Sequence, residues 1–119
     1  MYCVELTFGR NSIDGTQLPV GKIQKITARI LNEFATHFNG ARVYSGRGSY
    51  KTQNGQVVWG ESTTICSYTQ TIDNVRSSLD LLAHQVATEL EQACTLLTIT
   101  ELKTEMHTVG PTPLSLLCQ

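Results

Sequence analysis

Residues Tyr2 to Phe8 alternate strictly, with Tyr2, Val4, Leu6 and Phe8 on one side and Cys3, Glu5 and Thr7 on the other. Period two with β-favouring residues predicts a strand that buries one face. Turn-forming residues follow, Asn11, Ser12 and Asp14-Gly15, and predict an exposed loop. From Pro19, which suits a first helical turn, the spacing changes. Ile23, Ile26, Ile30, Phe34 and Phe38 recur at intervals of three and four, the stripe of an amphipathic helix. Asn39-Gly40 is expected to end it through a left-handed cap. Ala41 to Thr52 reads as a second strand, with Gly46 and Gly48 expected to mark a bulge or a shaped edge. Asn54-Gly55 signals a two-residue hairpin turn, and a third strand runs from about Gln56 to Tyr68, with a bend expected near Gly60. A second helix, capped by Thr71 or Asp73, places Val75, Leu79, Leu82, Val86 and Leu90 on one stripe and ends near Gln92. A last strand is expected from Cys94 to about Met106.

The order β-α-β-β-α-β predicts a ferredoxin-like α+β fold: a four-stranded antiparallel sheet with both helices on one face. The first and third strands should be central, and the second and fourth should be edges. Residues 1–109 are expected to form a single domain, followed by a C-terminal tail, 110–119, whose Leu116-Leu117 forms a small apolar patch. With one sheet face uncovered, exposed aliphatic or aromatic groups there would need a cover, so a homodimer is the expected partner arrangement.

Composition narrows the function classes. A chain of 119 residues with formal charge −1 has no basic footprint for general nucleic-acid binding. It has no apolar run long enough to span a membrane and begins without a signal-peptide pattern, so the cytoplasm is the expected location. The cysteines at 3, 66, 94 and 118 and the histidines at 37, 84 and 107 show no metal-ligand spacing. They read as separate thiols and imidazoles, with neither a metal nor a cofactor expected.

Candidate chemistry gathers in the stretch from Ala41 to Tyr68, which holds the only tryptophan. Arg10, Arg47, Tyr50, Trp59 and Glu61 are the candidate ligand-binding residues. A carboxylate on a central strand near arginines could hold a ligand or act as an acid or base. The structural alternative is a cross-strand ion pair of Glu61 with Arg47 that fixes the hairpin register. The run Ser45-Gly46-Arg47-Gly48-Ser49 offers backbone N–H groups to an anion. It leads into a hairpin instead of a helix, however, and lacks phosphate-loop spacing. Tyr44, Tyr50 and Trp59 could stack bases, but the basic-aromatic pattern of RNA-binding sheets is missing. No nucleophile signature surrounds Cys66 or Ser12.

Leu6 to Arg10 (LTFGR), Asp14-Gly15-Thr16, the helix ending in Phe38-Asn39-Gly40, Gly46-Arg47-Gly48-Ser49-Tyr50, and Asn54-Gly55-Gln56-Val57-Val58 with Glu61-Ser62 together form a pattern. Over roughly residues 4 to 68 it resembles a small bacterial family of unknown function. Its members show a strand ending in FG, a helix, a G-x-G-aromatic strand and a glycine turn before a glutamate-bearing strand. The resemblance implies an α+β fold and singles out Arg10, Arg47, Tyr50 and Glu61, but it implies no activity. The sequence reading is therefore a homodimeric ligand-binding or assembly module. Its alternative is a small enzyme with Glu61 as acid or base and Arg10 or Arg47 holding an anionic substrate at the open sheet face.

Overall fold

The computed structural model describes residues 1–38, 40–51, 54–92 and 95–103, with the side chains of Tyr50 and Val58 left out. The elements are β1 (Tyr2–Gly9), α1 (Val20–Phe38), β2 (Arg42–Lys51), β3 (Val57–Thr69), α2 (Arg76–Glu89) and β4 (Leu96–Glu101). The strands form one antiparallel sheet in the order β2-β3-β1-β4, so β1 and β3 are central. This is the ferredoxin-like arrangement that the pattern predicts.

The core lies where the two periodicities meet. Val4, Leu6 and Phe8 of β1 and Ile65 of β3 are buried together with Ile23, Ile26, Ile30, Phe34 and Phe38 of α1. Val75, Leu79, Leu82, Val86 and Leu90 close the cluster from the second helical segment. Phe34 and Phe38 meet edge to face, their ring centroids 5.4 Å apart, a preferred aromatic geometry.

Three local expectations change. Pro19 precedes α1, and its carbonyl accepts from the N–H groups of Lys22 and Ile23. The residue at the N-terminal cap of α2 is Val75, with no side-chain cap hydrogen bond, in place of Thr71 or Asp73. Thr69 Oγ1 donates to the Thr71 carbonyl, and Val75 N–H bonds back to the Ile72 carbonyl, so a backbone turn brings the chain into the helix. The β2–β3 ladder pairs residue with residue from Arg42–Cys66 to Lys51–Val57. No bulge interrupts it at Gly46 or Gly48. A Cβ at Gly46 would stand 3.3 Å from Ser62 Oγ, which is a tight cross-strand fit. Gly55 has φ +81°, the left-handed state open to glycine, but the last ladder pair is Lys51–Val57, so a longer connection replaces the two-residue turn that Asn54-Gly55 signals.

Residues 39, 52–53, 93–94 and 104–119 fall outside the described residues, so the end of the expected second strand, both ends of the expected final strand and the apolar tail patch do too.

Candidate functional site

Parity along the strands decides which residues meet. In β1, Val4, Leu6 and Phe8 face the helices and pair with Ser67, Ile65 and Thr63 of β3. Glu61 and Trp59 continue that same face of β3. Across the ladder, Arg47 is the partner position of Glu61, and Ser49 that of Trp59. Glu61 therefore lies on the helix-side face, beyond the helices' reach, and not on the open face where the enzyme alternative put it.

Arg10 follows β1 on the same side. Its N–H bonds to the Glu61 carbonyl at 3.3 Å, and its own carbonyl accepts from Leu18 N–H at 2.8 Å. An isolated bridge between Asn11 and Gln17 closes the loop. The turn inside that loop is built from its own side chains. Asp14 accepts from the Ser12 hydroxyl and from Thr16 N–H at 2.9 Å, while Gly15 takes φ +86°. The bonds from Ser12 and Thr16 pull the Asp14 carboxyl down to about 2. The loop is further pinned by Ile13 N–H to the Glu91 carbonyl, 2.7 Å.

Between this loop and the base of the β2–β3 hairpin lies a pocket of about 230 Å³, lined by Arg10, Asn11, Gln17, Arg47, Trp59 and the Gly60-Glu61 segment. Four of the five predicted residues thus converge. Tyr50 occupies the β2 position paired with Val58, and its side chain is not among those described. The two loop amides, Asn11 and Gln17, escaped sequence reasoning. Their signal is positional: Asn11 follows Arg10 directly, and Gln17 closes the same loop by its bridge to Asn11.

Electrostatics divides the pocket. Arg10 Nη1 meets Glu61 Oε2 at 3.2 Å, so the glutamate pairs with Arg10 and not with Arg47, although Arg47 stands opposite it in register. Both partners are partly solvated, at 37% and 57% side-chain exposure. Arg10 Nε is buried without a hydrogen-bond partner among the described residues. Among the described residues, Arg47 has no ion pair, and its guanidinium supplies the uncompensated positive charge of the pocket. Trp59 is 67% exposed and offers a ring to a flat ligand group. Such a set can hold a molecule with an anionic group, an aromatic ring and hydroxyl or cationic groups. Among the described residues no cluster of three or more metal-ligating side chains occurs.

No protein-family model matches the chain, and no curated protein does. Solved structures do match. A phage SAM lyase in complex with S-methyl-5'-thioadenosine superposes with a TM-score of 0.63 at 18% identity, over 84% of this chain and 80% of that one. CutA1 from Pyrococcus horikoshii gives a TM-score of 0.54 at 14% identity, over 98% and 91% of the two chains. The periplasmic divalent cation tolerance protein CutA from Archaeoglobus fulgidus gives 0.53 at 8%, over 89% and 88%. At these identities the likeness is one of fold, and the CutA1-type neighbours are ferredoxin-like. No helix among the described residues is long and apolar enough to cross a membrane.

Proposed function

We propose that the protein is a small-molecule-binding domain whose ligand is a nucleoside-linked amino acid of the S-adenosylmethionine class. The observation that carries this reading is the convergence of Arg47, Trp59 and the Arg10–Glu61 pair on one pocket. Each suits a different part of such a ligand. Trp59 stacks on the adenine, a contact worth about 1–3 kcal/mol by alanine substitution. Arg47 takes the carboxylate through charge-assisted bonds of about 1.5–3 kcal/mol. Glu61 accepts from ribose hydroxyls or faces the sulfonium. The likeness in fold to a lyase that holds S-methyl-5'-thioadenosine supports the choice of class.

A pocket of about 230 Å³ is smaller than the roughly 300–1,000 Å³ typical of ligand sites. In this reading a second copy of the chain completes it, and the protein is a homodimer. The free thiols of Cys3 and Cys66 fit a reducing compartment such as the cytoplasm.

The second reading is an enzyme, favoured by the same fold likeness. Glu61 would remove a Cβ proton from the amino-acid chain as the neighbouring Cγ–S bond breaks, so that the C–H electron pair forms a Cβ=Cγ double bond and the C–S pair leaves with the sulfur of S-methyl-5'-thioadenosine. The half-exposed, ion-paired state of Glu61 favours binding over proton transfer, so binding leads.

The test uses the single tryptophan. Titration with S-adenosylmethionine is expected to change Trp59 fluorescence saturably, with at least tenfold weaker binding in Arg47→Ala. An unchanged signal, confirmed by calorimetry, rejects the ligand class. Chromatography of the same mixtures separates the two readings, since only the enzyme accumulates S-methyl-5'-thioadenosine.

A further inference from the structure

The opposite face of the sheet carries a second cluster that the pocket does not use. Cys3 of β1 pairs in register with Tyr68 of β3, and Glu5 pairs with Cys66, which makes the two cysteines diagonal neighbours across the central strands. Their sulfurs stand 3.7 Å apart. Although no helix among the described residues lies over this face, both thiols are buried, at 8% and 3% exposure. Their cover comes from the sheet's own polar side chains. The Tyr44 hydroxyl donates to the Glu5 carboxylate, and Arg42 Nη2 donates to the Tyr68 hydroxyl at 3.5 Å. Cys3 also lies 3.8 Å from Glu5 Oε1.

We propose that Cys3 and Cys66 form a redox couple that closes into a reversible cross-strand disulfide with a low-molecular-weight disulfide, such as oxidised glutathione, as oxidant. One thiol loses its proton to solvent, and its sulfur attacks one sulfur of the oxidant. A mixed disulfide forms, and one glutathione leaves as thiolate. The second protein thiol, deprotonated in turn, attacks the mixed disulfide at the protein sulfur and expels the second glutathione. Two protein thiols are oxidised, one disulfide of the oxidant is reduced to two thiols, and the two protons end on the released glutathiones.

Two physical features make the couple reversible in place of a permanent staple. Diagonal positions in an antiparallel pair lie roughly 7–8 Å apart at Cα, beyond the roughly 4.4–6.8 Å usual for disulfides. Closure therefore has to draw β1 and β3 together, and a bond formed under such strain is more readily reduced. Burial and the neighbouring Cys66 push the Cys3 thiol up to about 12, which keeps that thiol protonated at neutral pH and its exchange slow.

The experiment uses the full chain with Cys94→Ser and Cys118→Ser, so that only this pair can react. Incubation with oxidised glutathione under native conditions is expected to remove both free thiols and to leave a protein lighter by two hydrogen atoms. Dithiothreitol should restore it. Adding Cys3→Ser should leave Cys66 with at most a glutathione adduct. Persistence of both thiols, or adducts without the internal bond, overturns the proposal. If the serine variants fail to fold, peptide mapping of the oxidised wild-type chain decides. A peptide joining Cys3 to Cys66 supports the couple, and bonds formed solely through Cys94 or Cys118 reject it.

Discussion

Arg10 and Glu61 are joined twice, once through the side chains at 3.2 Å and once through Arg10 N–H and the Glu61 carbonyl at 3.3 Å. The backbone bond holds the strand end against β3 whatever the side chains do. The ion pair, partly solvated on both sides, contributes at most about 1 kcal/mol. Glu61→Gln is therefore expected to lower Tm by no more than about 5 °C, while weakening the binding of S-adenosylmethionine at least tenfold. Differential scanning calorimetry and fluorescence titration of the same variant check both halves. A large Tm loss with intact binding would mark the pair as purely structural.

Asp14 gives the loop beside the pocket a pH dependence with a definite sign. Its carboxyl is lowered from 3.8 to about 2 by the bonds from Ser12 and Thr16. A depressed folded pKa contributes stability that is fully present above the unfolded value and is lost as pH falls through the folded one. The contribution should therefore be intact at pH 6, fall away below about 3.8 and be lost only as the pH passes below about 2. Asp14→Asn is expected to be less stable than wild type at pH 6, with most of that gap gone at pH 2, measured by urea unfolding at the two pH values. A gap that persists unchanged at pH 2 would show that the carboxylate charge is not what matters.

The legibility of this chain differs from element to element for physical reasons. The stripe from Ile23 to Phe38 was plain because all five residues point into one core, and the alternation of β1 was plain for the same reason. The faces of β3 were not readable locally. Trp59 and Glu61 share parity with buried Ile65 yet lie past the helices, so they remain exposed or half-exposed at helix-side positions. The local pattern predicts a pairing of Glu61 with Arg47, and the register does place them opposite each other. Arg10 takes the carboxylate because the strand pairing of β1 brings it to the same edge, a long-range fact. The cysteines at 3 and 66 looked unrelated for the same reason. The end of α2 reads as near Gln92 although the helix stops at Glu89, because a glutamate, Glu91, stands where a glycine would have announced it.

That glutamate supports a prediction about stability. Gln92 N–H bonds to the Ala87 carbonyl and Glu91 N–H to the Thr88 carbonyl, the paired bonds of a Schellman helix end. The left-handed position falls on Glu91, with φ 52°. A non-glycine residue there costs about 1–2 kcal/mol, and glycine gives back part of the gain by freeing the unfolded chain. Glu91→Gly is expected to stabilise the protein by about 0.5–1 kcal/mol net, read as a higher denaturation midpoint at unchanged slope. A lower midpoint would mean that the Glu91 side chain contributes more than its strained backbone costs.

The last prediction concerns assembly. β1 pairs with β3 only from Ser62 onward, whereas β2 follows β3 out to Val57. The segment from Val57 to Glu61 therefore has β2 as its one strand neighbour and forms a two-stranded ribbon projecting past the sheet. Such ribbons are marginal in water by themselves, yet this one exposes Val57 and Trp59 at 65% and 67%. A second copy packed on the ribbon would cover both and would wall the open side of the pocket. On that reading wild type is a dimer by light scattering, and Val57→Asp, which places a charge on the ribbon without altering a pocket residue, shifts it to monomer. Binding of S-adenosylmethionine should weaken in parallel, because the pocket loses its second wall. A monomeric wild type that binds the ligand as tightly as Val57→Asp would reject the shared pocket and leave the site to a single chain.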